Sequence, residues 1–365
     1  MFDTLEAEHY FAPDYGAARE KFLAACRLCD LPVESWQHPL NGPGGAPLFT
    51  DVARIGPRSA RHVLVLTSGV HGPELMAGSG CQIGWLLRTG GRALPPDTAA
   101  VLVHAINPWG AAHLRRYTDG NVDLCRNYVD FSHAQGCAQG YEALHAAVVA
   151  DPRDAPAVSA ADATLARFQQ EHGTPALYAA LMAGQYLYPD GMGYGGAGPD
   201  WSRVTMERIL REHAATAERV SLVDYHTGLG AYSYGCVVAL QSGAALERVR
   251  SVFGEWVLAP LSTTRVEDRV PVTGHTTPGY EQILPQARVM ALVLEYGTYA
   301  QERMLELLLA DHRETFGGAR SGHSGSAARQ GLLRFFYPDD PRWKRAVFER
   351  SQQVIAQAMA DLSRD

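Results

Sequence analysis

The chain has 365 residues, 46% of them hydrophobic and 19% charged, with a formal net charge of -7. This composition supports a sizeable core and excludes a disordered chain. Without a run of Lys or Arg it carries no electrostatic footprint for nucleic acid or an anionic membrane, which leaves a small molecule or a short peptide as the expected partner.

The first residues, MFDTLEAEHYFAPDYG, are acidic and lack the basic start and apolar core of a secretory signal. No stretch reaches the length of a membrane span, so a cytoplasmic location is expected. A helical pattern over Tyr15 to Cys29 contains Cys26 and Cys29. Their C-x-x-C spacing has neither a second half-site nor a thioredoxin-like context, and both are read as ordinary helix cysteines. Continuous aliphatic runs follow at His62 to Leu66, Ala99 to Ile106, Val220 to Asp224, Cys236 to Leu240 and Val289 to Leu294. Such runs mark strands buried on both faces. Helical patterns occupy Leu75 to Arg88, Asp162 to Gln170, Pro175 to Met182, Trp201 to Ala217, Ala244 to Phe253, Tyr299 to Ala310 and Pro341 to Leu362. The alternation predicts an α/β fold, a mixed and mostly parallel sheet covered by helices on both faces. No linker or repeat divides the chain, so one domain is expected over 1–365, with core motifs at about 62–298 and a C-terminal helical extension at 299–365.

Ligands in such sheets bind beyond the carboxyl ends of the strands, and four runs end on polar residues. VLVLTSGVHGPE delivers His71 and Glu74; VLVHAINPWGAAHLRRY delivers Asn107, then Arg115 and Arg116; VSLVDYHTGLG delivers Asp224 and His226; VMALVLEYGTY delivers Glu295. Two histidines and a carboxylate from separate segments make a catalytic zinc set that keeps a position open for water. His71, Glu74 and His226 fit it. Glu295 is then the unliganded carboxylate that takes a proton from water and returns it to the leaving nitrogen, and a nearby arginine stabilises the oxyanion. Singly, each residue reads as a hydrogen-bonded loop side chain; their joint placement at strand ends points to a site. Asp224, two residues before His226 on the same strand face, is placed to orient it.

The order His-Gly-x-Glu, Arg-Tyr, Asp-Leu-x-Arg, Asp-x-His-Thr and a Glu closing an apolar run resembles the zinc carboxypeptidase superfamily from about Val63 to Thr298. It is most similar to the branch holding aspartoacylase and succinylglutamate desuccinylase, and to a related bacterial branch of unknown function. The resemblance implies a single zinc-carboxypeptidase-like domain with one zinc ion held by His71, Glu74 and His226, and Glu295 as general base and acid. It also implies that Arg116 polarises the scissile carbonyl and that Arg126 grips a substrate carboxylate. Where the pattern usually has Asn before that arginine, this chain has Cys125, which offers no amide hydrogen bonds. Asn127 is the candidate to replace them. Cys125 is read as a packing or pocket-wall residue, because nothing in the sequence pairs it with a base.

Tyr280, in Thr276-Thr277-Pro278-Gly279-Tyr280, is the candidate for a substrate-binding tyrosine on a mobile loop. The Gly- and Tyr-rich segment Gln185 to Ser202 is read as a loop walling the cleft. These residues together predict zinc-dependent hydrolysis of an amide bond in a small N-acyl amino acid or peptide-like substrate. The alternatives are a metallocarboxypeptidase and a catalytically silent ligand-binding relative. A serine esterase is disfavoured because the chain has no Gly-x-Ser-x-Gly elbow.

Overall fold

The computed structural model describes residues 6–90, 94–133, 135–260, 273–318 and 327–364. Its strands are β1 (Val33–Asn41), β2 (Pro47–Ile55), β3 (His62–Ser68), β4 (Thr98–His104), β5 (Arg219–Tyr232), β6 (Gly235–Val238) and β7 (Arg288–Gly297). They form a single sheet in the order β1-β2-β4-β3-β5-β7-β6. The neighbours β4-β3, β3-β5 and β5-β7 are parallel, while β1-β2, β2-β4 and β6-β7 are antiparallel. This is the mixed, mostly parallel core expected from the aliphatic runs. β1 and β2 lie outside those runs. β1 is an edge strand whose residues are mostly exposed or half-buried, so it needs no aliphatic repeat. β2 buries Asp51, whose carboxylate accepts from Arg19 Nε at 2.7 Å and from Ser35 Oγ at 2.5 Å.

The helices are α1 (Tyr15–Leu28), α2 (Leu75–Thr89), α3 (Pro108–His113), α4 (Tyr141–Val148), α5 (Ala155–His172), α6 (Thr174–Met182), α7 (Trp201–His213), α8 (Gly243–Phe253), α9 (Thr276–Ile283), α10 (Gln301–Phe316), α11 (Ala327–Phe336) and α12 (Pro341–Leu362). Because strand side chains alternate between faces, the central strands feed two cores. Leu64, Leu66, Leu102, Val223, Leu292 and Leu294 pack with α1, α2, α8 and α12. Val63, Val65, Val101, Val103, Val220 and Leu222 pack with α7 and α9. A third cluster joins α4, α5, α6, α10 and α11. The C-terminal helix is part of the first core: Trp343 is fully buried, and its indole N–H donates to Gly297 O at 2.9 Å, at the end of β7. No helix among the described residues is long and apolar enough to cross a membrane.

β3 leads through α2 to β4 on one side, whereas β5 lies on its other side. The strand order therefore reverses between β3 and β5, the place where α/β sheets open a crevice for ligands. Both histidines of the expected metal set emerge there.

Candidate metal centre

β3 ends at Ser68, the chain turns through Gly69 (φ 78), and a short 3-10 turn over Gly72–Glu74 runs directly into α2. Glu74 thus stands at the N-terminus of a 15-residue helix, where the helix dipole favours a negative charge. A side chain at position 72 would collide with the Gly110 carbonyl and with Arg115 O. Glycine there lets the His-Gly-Pro-Glu turn and the arginine segment pack backbone to backbone. His226 stays within β5, in register with Glu295 on β7.

The buried Glu74 carboxylate spans the two imidazoles: Oε1 lies 2.9 Å from His71 Nδ1 and Oε2 lies 3.2 Å from His226 Nδ1. Thr227 N–H donates to Oε2 at 3.0 Å and Arg116 Nη1 donates to Oε1 at 3.2 Å. Behind each imidazole stands an aspartate. Asp123 Oδ1 is 3.3 Å from His71 Nε2. Asp224 Oδ2 is 3.2 Å from His226 Nε2, an ion pair without the alignment of a hydrogen bond, and is itself held by Thr276 Oγ1 at 2.9 Å. A carboxylate behind each ring nitrogen that faces away from the ion is the usual backing of a ligating histidine.

The charges explain the titration. Burial opposes ionisation of Glu74, but His71 and His226 hold it well below the usual carboxylate range. Asp123 is likewise low, with Arg116 and His71 outweighing its burial. Burial and Arg116 act against the charged form of His71, yet Glu74, Cys125 and Asp123 raise it to about 10, and His226 is raised well above its ordinary value against its own burial, chiefly by Asp224. Glu74 and Asp123 face Arg116, and the acidic groups beside the two imidazoles favour their protonated forms in the metal-free site. A divalent cation held by the two imidazoles and Glu74 would replace both protons. The donor set fits such an ion.

Glu295, half-buried at the end of β7, accepts from Leu229 N–H at 3.0 Å through Oε1. Burial, and then the neighbouring Glu74, pushes its carboxyl up to about 7. Of the two adjacent arginines, Arg116 faces the site. Its Nε lies 3.6 Å from Asp123 Oδ2 and has no hydrogen-bond partner. Arg115 turns away, donating to Asp311 Oδ2 at 3.0 Å and Asn121 Oδ1 at 3.2 Å.

Three residues expected to bind substrate are engaged with partners inside the fold. Arg126 is not poised as a free fork for a carboxylate: its Nε and Nη2 donate to Met182 O, and its Nη1 donates to Cys125 O at 2.6 Å. Asn127 is fully buried, with its amide donating to Gly195 O at 2.7 Å and Gly198 O at 3.0 Å and accepting from Asp200 N–H at 2.9 Å. This satisfies both its donors and its acceptor within the Gly-rich loop. Tyr280 sits on α9 rather than on a loop, buried edge-to-face against Tyr128 with ring centroids 5.3 Å apart. The Gly-rich segment braces the site from behind. Tyr194 O accepts from Asp123 N–H at 2.7 Å, and Asp200 caps α7 through Ser202 N–H at 2.8 Å.

Two residues given no catalytic or ligand part in the sequence reading belong to the centre. Cys125 is 2% exposed, and its sulfur and a nitrogen of each of His71 and His226 all lie within 4.8 Å of one another. Burial acts against the thiolate, but His275 and His71 beside it hold the thiol well below its ordinary value. His275, whose ring centroid is 6.4 Å from that of His226, begins α9. Of the remaining cysteines, Cys26 and Cys29 are free at the end of α1, and burial raises Cys26 to about 12. A cavity of about 660 Å³ lined by Cys137, Phe168, Ala176, Gly184 and Tyr186 holds none of these residues.

The chain is similar in structure to thrombin activatable fibrinolysis inhibitor, with a TM-score of 0.53 at 11% identity over 98% of this chain and 77% of that one. Carboxypeptidase A from Helicoverpa armigera gives 0.51 at 11% identity, over 96% and 74% of the two chains. Bovine thrombin-activatable fibrinolysis inhibitor, in complex with tick carboxypeptidase inhibitor, gives 0.50 at 11% identity over 97% and 98%. At this identity the likeness establishes a carboxypeptidase-like fold. No curated protein matches the chain. Residues 11–350 match the family described as "Protein of unknown function (DUF2817)", and the chain belongs to that family.

Proposed function

We propose that this protein is a zinc-dependent hydrolase of an amide bond in a small N-acyl amino acid or peptide-like substrate. The observation that carries the reading is the Glu74 carboxylate spanning His71 Nδ1 and His226 Nδ1, with Glu295 in register beside it. Two imidazoles and a carboxylate suit zinc. The bound ion supplies Lewis acidity for the carbonyl and acidifies water.

The chain's own groups do the rest. Leu229 N–H fixes one oxygen of Glu295, leaving the other to take a proton from the attacking water and deliver it to the departing nitrogen. A carboxyl held near 7 in the metal-free site is suited to both transfers. Arg116, anchored on Glu74 through Nη1, has an unpaired Nε in the buried site to meet charge developing on the carbonyl oxygen. Asp123 and Asp224 orient the imidazoles.

Arg126, engaged with Met182 O and Cys125 O, is not free to grip a substrate carboxylate, a group that N-acyl amino acids and peptide C-termini both carry. Six free cysteines suit a reducing compartment such as the cytoplasm. The test is mass-spectrometric product analysis of zinc-loaded protein incubated with N-acyl amino acids and short peptides. Release of small acyl acids is expected. Release of free C-terminal residues would mean a carboxypeptidase, and metal binding with no product from either set would mean a silent relative.

A further inference from the structure

We propose that the Cys125 sulfur is itself a ligand of the metal, together with His71 and His226. The inference rests on the metal site just described and changes its composition. Cys125 is held in place from both sides. It is the middle residue of the 3-10 turn Leu124–Arg126. Asp123 accepts its N–H at 3.0 Å while backing His71 Nε2, and Arg126 Nη1 donates to its carbonyl at 2.6 Å. The same arginine fastens the turn to Met182 O at 3.1 Å, and Tyr194 O fastens Asp123 N–H at 2.7 Å.

With its backbone fixed in this way, Cys125 presents its sulfur to the two histidines that already face Glu74. The three donor atoms lie within 4.8 Å of one another, and all three residues are buried. Around a tetrahedral zinc with bonds of about 2.0–2.1 Å to nitrogen and 2.3 Å to sulfur, such donors stand roughly 3.5 Å apart. The cluster needs an inward adjustment of about an ångström or less to close on an ion. Thiolate is a far better zinc ligand than the amide usual at this position, and zinc tolerates mixed sulfur, nitrogen and oxygen sets. Ligation releases the thiol proton.

Cobalt substitution of the chelator-stripped full chain tests this. Visible ligand-field bands report cobalt held at the histidine and carboxylate site; a near-ultraviolet sulfur-to-cobalt charge-transfer band reports the thiolate. The wild type is expected to show both, and Cys125→Asn to keep the visible bands and lose the charge-transfer band. Visible bands without charge transfer in the wild type would overturn the Cys125 ligand and leave the metal site standing. Absence of both at saturating cobalt would overturn the metal site as well. Zinc-edge X-ray absorption of the wild type needs no variant: a sulfur scatterer at about 2.3 Å is expected, and a shell of nitrogen and oxygen alone would refute the proposal.

Discussion

Replacing Glu295 with Gln preserves the side chain's shape and an oxygen for the Leu229 N–H, and removes only its capacity to take a proton. Two magnitudes follow. A positioned general base contributes roughly 10²–10⁴-fold, about 3–5 kcal/mol of barrier at 1.36 kcal/mol per decade. Turnover should therefore fall at least a hundredfold with bound zinc unchanged. The second magnitude concerns pH. Burial, and then Glu74, raises the carboxyl from 4.5 to about 7 in the metal-free protein. A bound cation offsets the Glu74 contribution and leaves burial, so the acidic limb of kcat/KM in the loaded enzyme should lie between those values.

The same shift appears in stability, with a sign opposite to that of an ordinary ion-paired carboxylate. Between 4.5 and about 7 the folded chain keeps a proton that the unfolded chain releases, so the unfolding free energy declines as pH rises through this window. The loss is at most about 3–4 kcal/mol, reduced where solvent screens the half-buried group. In urea titrations of chelator-treated protein, wild type and Glu295→Gln should nearly coincide at pH 5, with the variant more stable at pH 8. A variant that retains more than a tenth of the turnover, or whose stability tracks the wild type at both pH values, would remove Glu295 from this role.

Arg116→Ala should lower kcat by about 10²–10³-fold, the usual loss on removing an oxyanion donor, with zinc retained; a change confined to KM would contradict this. Asp123→Ala should weaken metal binding by about 10–100-fold in chelator competition, as expected for loss of a carboxylate behind a ligating histidine. Metal affinity of the wild type should rise with pH, because the ion displaces protons from two imidazoles whose pKa values are raised; equal affinity at pH 6 and pH 8 would refute that account. Arg126→Ala should destabilise the fold by about 1–3 kcal/mol through the unsatisfied carbonyls of Met182 and Cys125. It should leave KM for carboxylate-bearing substrates unchanged, whereas a selective KM increase for them would return Arg126 to the substrate.

The four strand ends were legible because fully buried parallel strands must be continuous aliphatic runs, and the polar residues that follow them stand out. His71, Glu74, His226 and Glu295 converge for that reason, and Asp224 follows from the two-residue period of β5. β1 and β2 were illegible because an edge strand such as β1 is polar and exposed, and because the buried Asp51 of β2 depends on Arg19 and Ser35, far away in sequence. α3 and α9 are short and contain Pro and Gly, so they carry little helical periodicity. Arg126 and Asn127 matched a motif in order, but their hydrogen bonds go to Met182 O and to the Gly-rich loop, partners that only the fold brings near. The setting of Cys125 was hidden for the same reason: its neighbours His71 and His275 are distant in sequence.

Helix α2 carries Glu74 at its start and is intrinsically weak, with three glycines in fifteen residues, each roughly 1 kcal/mol less favourable than Ala in a helix interior. Packing holds it: a side chain at Gly84 would run into Phe348 of α12 and into Tyr10, and one at Gly80 into Phe11. The C-terminal helix and the N-terminal segment therefore clamp the element that presents a metal ligand. Ion binding and the docking of α12 are then reciprocal, since whatever free energy the ion adds to the clamped state is also added to the contact. Loading the metal should slow amide hydrogen exchange along α12.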